Sequence, residues 1–302
     1  MVAEGSAKEI RSSAAHRETR VAVSALVCGA LVWGLIWYPY RILRDSGVDG
    51  VVASTATYGV ALVLGLLFFR HALGKFVPSW TLFWLGLAAG ACNLGYVLAT
   101  LSGEVMRVLL LFYLAPLWTV VLSRVLLGER LNRFGFFVVA LSLAGALTML
   151  WQPRIGLPVP QDSADWFGLG AGFFFALFNV LSRRAHSVSI ELKSLAAFFG
   201  VVLLGLLLLL AGVGHVQMPS ANSAWVLIAV IGCVLLMANL IVQYGLARVA
   251  ANRAIVIMLS EVGFAALAAW LLAGEAPGLR EWAGGAMILA ASFFSGEIEN
   301  NA

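Results

Sequence analysis

Apolar residues recur along this chain in ten long runs that short polar connections separate. A helix of about 20 residues reaches roughly 30 Å, the thickness of the hydrocarbon core of a membrane. Membrane-spanning strands would alternate apolar and polar residues, and these runs do not. Because backbone groups in lipid must pair within their own segment, the runs predict ten transmembrane helices. The predicted helices cover residues 21–40, 50–69, 80–101, 105–127, 134–151, 166–181, 192–213, 225–246, 254–273 and 282–295.

The fourth and ninth runs share a pattern. Arg107 opens an apolar run that closes at Glu129, and Arg253 opens another that closes at Glu275, with an offset of 146 residues for both pairs. This offset predicts two repeats of five helices each. Since five is odd, the second repeat must enter the membrane from the opposite side. Inverted repeats of this kind are typical of secondary transporters.

The repeats divide the chain into five parts. Residues 1–20 are polar and are expected to form a disordered cytoplasmic tail. Residues 21–152 and 166–295 form the two five-helix repeats, and a periplasmic linker, residues 153–165, joins them. Residues 296–302 form a second cytoplasmic tail.

Composition and charge support a multi-span membrane protein. Hydrophobic residues make up 62% of the chain and charged residues 11%, whereas soluble domains carry about 25% charged residues. Fourteen of the 19 lysines and arginines fall on the side of the N-terminus if it is cytoplasmic, so both termini are predicted inside. The net charge of +4 includes no basic run, which argues against nucleic-acid binding. The histidines and cysteines share no metal-ligand spacing, so neither metal nor cofactor is expected.

The chain carries four short motifs in order: Trp-Gly at 33–34, Leu-Gly-Glu at 127–129, Glu261 and Ala-Gly-Glu at 273–275. Together they resemble the drug/metabolite transporter superfamily, in its EamA-repeat branch. The resemblance covers nearly the whole chain, and residues 103–107 and 111–114 look most like the YddG-type amino-acid exporters. The family often has Glu-Pro in its ninth helix; here Val262 follows Glu261, and the aligned position of the first repeat holds Pro116. The resemblance implies a central cavity ringed by helices one to four and six to nine, with helices five and ten peripheral.

Glu261 is the most informative polar residue inside a predicted span. No lysine or arginine stands within four residues of it, and a charge at mid-helix costs roughly 2.5–3.5 kcal/mol on insertion scales. The side chain should therefore face a cavity or a partner helix. Two interpretations stay open, a structural acid bonded to another helix and an acid that couples transport to protons or contacts the substrate.

Three amide side chains are further candidates for substrate contact. Asn239 and Gln243 stand four residues apart and so share a helix face. Asn93 lies at a similar predicted depth in the third helix. Amides can donate to a carboxylate and accept from an ammonium group. Hydrogen bonding between helices is the structural alternative.

Aromatic residues and a proline complete the candidate set. Trp33 lies deep in the first helix and is a candidate cavity wall, while Tyr96 and Tyr113 offer hydroxyl groups to a substrate or to packing. Pro116 removes one backbone hydrogen bond and should kink the fourth helix.

These features predict a secondary transporter in a bacterial plasma (inner) membrane. We expect it to export amino acids, aromatic or otherwise neutral, or similar small metabolites by alternating access. No nucleotide-binding loop and no cluster of catalytic residues is present in the sequence, so neither ATP-driven transport nor an enzyme is expected. Transport of another metabolite or a drug-like solute, and a non-transport membrane protein, are the alternatives. The oligomeric state, coupling ion and cargo are left open.

Overall fold

The computed structural model describes residues 2–74, 77–151, 159–214, 222–273 and 278–295, and every regular element in these residues is an α-helix. Nine spans within them are long and apolar enough to cross a membrane. The last helix has 16 described residues. The predicted all-α class with two five-helix repeats is confirmed. The helices are α1 Val2–Asp45, α2 Gly50–Phe68, α3 Arg70–Leu73, α4 Trp80–Ser102, α5 Val105–Phe112, α6 Ala115–Leu126, α7 Arg133–Leu150, α8 Ser163–Arg184, α9 Ile190–Leu210, α10 Asn222–Arg248, α11 Ala251–Met258, α12 Glu261–Ala273 and α13 Leu279–Phe294.

Helix α1 is longer than its apolar run, because it continues back to Val2 through the polar tail. The expectation of a disordered tail was wrong. Residues 2–20 are rich in alanine, glutamate, lysine and arginine, which favour helix, and they extend an existing helix without a new nucleation step. The membrane-length part of α1 begins at Arg17. The tail 296–302 and most of the predicted linker lie outside the described residues.

Short polar side chains begin several of the helices. Asp49, Ser79, Asn132, Asp162 and Ser189 each accept a hydrogen bond from a backbone N–H group in the first turn that follows. The first N–H groups of a helix have no partner within the helix, so these caps are the expected solution. They explain why the chain can turn sharply between spans with few polar residues.

The main contacts between the two repeats occur in equivalent pairs. Helix α4 packs against α8 and α9, just as α10 packs against α1 and α2; α6 packs against α8, as α12 packs against α1. Three further pairs join equivalent spans to each other: α2 with α9, α6 with α11, and α7 with α13. The arrangement is that of two structurally related halves around a two-fold axis. It leaves α7 and α13 as a pair, with Phe136 and Phe293 among their exposed side chains.

Exposure is inverted relative to a soluble protein. Leu67, Val125 and Leu210 are exposed, while polar residues such as Thr57, Ser142 and Gln243 are buried. Apolar side chains on the outside suit lipid, and polar side chains inside can bond to one another.

Glycines allow α4 and α9 to approach at backbone distance. A Cβ atom on Gly86 would lie 2.6 Å from the backbone oxygen of Ala196, and a Cβ atom on Gly200 would overlap the backbone of Gly86. Small residues at such crossings let membrane helices pack closely.

Gly200→Ala should therefore lower the thermal unfolding midpoint measured by fluorescence-detected chromatography, because overpacking costs roughly 1–3 kcal/mol. Gly170→Ala is the matched control, since a Cβ atom there meets nothing within 4 Å. Equal midpoints for the two variants would contradict the close approach of α4 and α9.

Candidate functional site

The fourth and ninth spans are each broken into two helices at equivalent places. The first break lies at Tyr113 and Leu114, between α5 and α6, and the second at Leu259 and Ser260, between α11 and α12. The two breaks are 146 residues apart, the offset of the sequence repeat. Discontinuous helices in corresponding positions of two repeats are the usual builders of transporter binding sites.

Different local chemistry produces the two breaks. Pro116 is in the first turn of α6 and has no N–H group to continue the helix from α5. Val262 occupies the equivalent position in the second repeat and has no such restriction. There, the Ser260 hydroxyl donates to the Ile257 carbonyl oxygen at 2.7 Å, a side-chain bond that competes with the helical pattern. The ninth span is thus broken without a proline.

A hydrogen bond joins the two breaks. The Tyr113 hydroxyl, at the end of α5, donates to Oε1 of Glu261, the first residue of α12, over 3.1 Å. Tyr113 is buried and Glu261 is partly buried. A carboxylate at the start of a helix is stabilised by the helix dipole. The contact therefore places an acid and a hydroxyl from different repeats side by side in the middle of their spans.

Aromatic and polar residues of α4 surround this pair. Cys92 and Tyr96 pack against the core cluster that contains Tyr113. The Tyr96 ring packs edge-on against Phe112 at 5.4 Å, and Phe112 packs against Phe175 at 5.4 Å. The site at the breaks is thus apolar and aromatic, with a few polar groups.

Helix α1 reaches the second break through the Trp-Gly motif. A Cβ atom on Gly34 would lie 2.8 Å from the backbone oxygen of Glu261 and 2.8 Å from Cβ of Phe264. A side chain at residue 34 would push α1 away from α12, so glycine is required for the approach. Trp33, the neighbouring residue, is partly buried where two core clusters meet.

The amide candidates occupy different surroundings. Nδ2 of Asn93 donates to the Tyr58 hydroxyl at 3.4 Å, on the side of α2. Gln243 is fully buried and accepts a hydrogen bond from Ser182 of α8. Asn239 is buried one turn before Gln243, and its Oδ1 has no hydrogen-bond partner. The structure therefore brings Tyr96, Tyr113 and Glu261 together. Asn93 and Gln243 instead form hydrogen bonds with residues of α2 and α8.

Three charged features were missed as site residues in the sequence. Lys193 is completely buried near the start of α9. Arg107 forms a buried ion pair with Asp165 at the start of α8, with 2.5 Å between Nε and Oδ2. Glu129 accepts hydrogen bonds from the first N–H group of α11, on Ala251, at 3.1 and 3.2 Å. The repeated positions of Arg107 and Glu129 were a signal, but their partners lie in the other repeat.

Comparison with known proteins decides the family. The model of the EamA-like transporter family matches residues 20–151 and 162–296, one match for each repeat. The chain belongs to the EamA-like transporter family. It is a multi-pass membrane transporter of small solutes, as the resemblance in the sequence predicted, and it has bacterial relatives.

Several relatives of this EamA-like transporter are named as transporters. It is 24% identical over 72% of its length to an uncharacterized transporter, YojE, of Bacillus subtilis, covering 74% of that protein. It is 26% identical over 90% of its length to an uncharacterized transporter of Archaeoglobus fulgidus, covering 94% of it. The protein RarD of Escherichia coli is 22% identical over 56% of each chain.

Among the solved structures that share the fold of this EamA-like transporter is a crystal structure of a protein. The TM-score is 0.74 over 93% of this chain and 99% of the other, at 18% sequence identity. At 18% identity the match shows a shared fold and nothing more. It agrees with the packing of two related five-span halves described above.

Proposed function

We propose that this EamA-like transporter exports amino acids, aromatic or otherwise neutral, across a bacterial inner membrane by alternating access. The cargo binds between the repeats, at the two helix breaks. The observation that carries the proposal is the hydrogen bond between Tyr113 and Glu261, which joins the breaks across the repeats at 3.1 Å. A site shared by both halves can be exposed to either side as the halves rock.

The broken helices suit a zwitterion. Helices α5 and α11 end at the breaks, so their last carbonyl groups favour an ammonium group, while α6 and α12 begin there and their first N–H groups favour a carboxylate. An amino acid carries both charges on its backbone. Transport of another metabolite or a drug-like solute is the alternative, since the same site would accept a neutral polar group.

The side chain of the cargo would meet the aromatic surroundings. Phe112, Phe175 and Tyr96 form a packed aromatic group beside Glu261, and we place Trp33 at the wall nearest the second break. Asn93 and Asn239 are proposed polar contacts that the cargo reaches as the halves move, and Pro116 is the proposed pivot of the first break. No cofactor is invoked.

Flux into proteoliposomes tests this proposal with a panel of the twenty amino acids. Trp33→Ala should change the preference between cargoes with large and small side chains. It removes part of the aromatic wall, which enlarges the space for the cargo's side chain, and leaves the polar groups in place. Trp166→Ala is the control, since Trp166 is an exposed residue on α8. The proposal fails if the parent transports none of the twenty, and the role of Trp33 fails if its variant keeps the parental ranking.

Orientation is a separate prediction. With both termini cytoplasmic, a cysteine at Arg184 should react with an impermeant reagent from the cytoplasmic side, and one at Asp162 from the opposite side. Both residues are exposed at opposite ends of α8, so accessibility does not bias the comparison. Labelling of residue 162 from the cytoplasm would reverse the predicted orientation.

A further inference from the structure

A buried polar cluster lies where α8, α9 and α10 meet, away from the helix breaks. Lys193, with 0% exposure, donates from Nζ to the backbone oxygen of Ser182 at 3.2 Å. The Ser182 hydroxyl donates to Oε1 of Gln243. Asn179 stands one turn before Ser182 on α8 and is also buried. The cluster of Asn179, Ser182, Lys193 and Gln243 belongs to the second repeat alone.

The positive charge of Lys193 has no counterion among the described residues, because none of their ion pairs includes it. Arg248 and Arg183, the charged side chains in its surroundings, are also positive. It occupies the fourth position of α9, where the helix dipole adds further positive potential. Burying such a cation without an anion is costly.

The two arginines do not share this situation. Arg183 lies 4.0 Å from Glu129, and Arg248 pairs with Glu18 at 2.7 Å. Both are also only partly buried. The unbalanced charge therefore belongs to Lys193.

The unpaired atoms of the cluster are hydrogen-bond donors. Nδ2 of Asn179 and Nε2 of Gln243 are buried and have no partner. A lysine ammonium has three donors, and Lys193 uses one. One turn away on α10, Oδ1 of Asn239 is an unpaired acceptor, which would suit the ammonium group of an amino acid.

We propose that this cluster is a second binding site, which takes the carboxylate of a small solute. This inference rests on the proposed function, because the carboxylate that binds here is that of the amino-acid cargo. The cluster lies within the last two turns of α8 and of α10 and the first turn of α9, hence near one membrane face. In the predicted orientation that face is cytoplasmic, where an exporter first takes up its cargo. The helix breaks at mid-span would then receive the cargo from this site.

Thermal unfolding of the purified protein tests the site with propionate as the probe. Propionate should raise the unfolding midpoint of the parent in a saturable way, whereas propionamide, which has no charge, should not. Lys193→Met should lose the response, and Arg184→Met should keep it, because Arg184 is an exposed cation at the end of α8. An equal shift from chloride at the same concentration would overturn recognition of a carboxylate.

A second variant guards against failure of Lys193→Met to fold. Gln243→Glu keeps the oxygen that accepts from Ser182 and supplies the missing anion. It should raise the midpoint without any ligand and abolish the propionate response. Gln243→Leu, of similar size, should lower the midpoint. If Gln243→Glu is less stable than the parent and still responds to propionate, the site is wrong.

Flux measurements separate this inference from the proposed cargo. Lys193→Met should raise the KM for a transported amino acid roughly ten- to hundredfold, the usual effect of losing a hydrogen bond to a charged group. An unchanged KM would overturn the second site while the export proposal stands. If propionate binds as expected but no amino acid is transported, the site stands and the cargo proposal fails.

Discussion

Glu261→Gln should abolish the dependence of transport on a pH gradient and leave a folded protein. The glutamine keeps an oxygen that can accept the hydrogen bond from Tyr113, so the contact between the breaks survives. It cannot take up or release a proton, so coupling to protons is lost. The measurement is flux into proteoliposomes with and without an imposed pH gradient, at matched levels of the folded protein.

Tyr113→Phe is the matched control for this experiment. It removes the hydroxyl that bonds Glu261 and keeps the buried ring, so the acid remains while its partner is lost. We expect weaker transport that still depends on pH. If Glu261→Gln keeps the parental pH dependence, Glu261 is structural. A parent without pH dependence would instead indicate a uniporter or exchanger.

The spans and their repeat could be predicted because the local composition of a segment determines whether it inserts into a membrane. The length of each apolar run sets the span, and the 146-residue offset of Arg107 and Arg253 marked the repeat. The first break was also within reach, since Pro116 lacks the N–H group that a continuous helix needs. The second break has no proline, since Val262 stands at the equivalent position, and the sequence predicted a continuous helix over residues 254–273.

Contacts between different helices were beyond prediction from one sequence. Lys193 sits three residues after the start of α9, a position that looks like a polar helix end, and only the packing of α8 and α10 buries it. The same holds for the amides, because a face shared by Asn239 and Gln243 does not reveal which helix it meets. The polar composition of residues 2–20 suggested disorder, whereas helix propensity and the adjoining span decided otherwise.

The ion pair between Arg107 and Asp165 should be the most sensitive charged contact to single substitution. Its side chains are 8% and 2% exposed, and the Asp165 carboxylate also accepts from the N–H group of Gln161 at 2.8 Å. Arg107→Met leaves the carboxylate buried without its cation, and Asp165→Asn leaves the guanidinium without its anion. Each should reduce the free energy of unfolding by roughly 3–5 kcal/mol.

The double variant distinguishes pairing from mere packing. Arg107→Met with Asp165→Asn removes both charges, so it should be more stable than the sum of the single effects predicts, because neither charge is then left alone. Unfolding in a denaturing detergent gives the four stabilities of the cycle. The Arg44–Asp45 pair, 67% and 60% exposed, is the control, since exposed pairs contribute roughly 0–1 kcal/mol. Additive effects at 107 and 165 would mean that the charges do not stabilise each other. Strong coupling would identify the contact as one that holds the start of the fourth span of one repeat to the first span of the other.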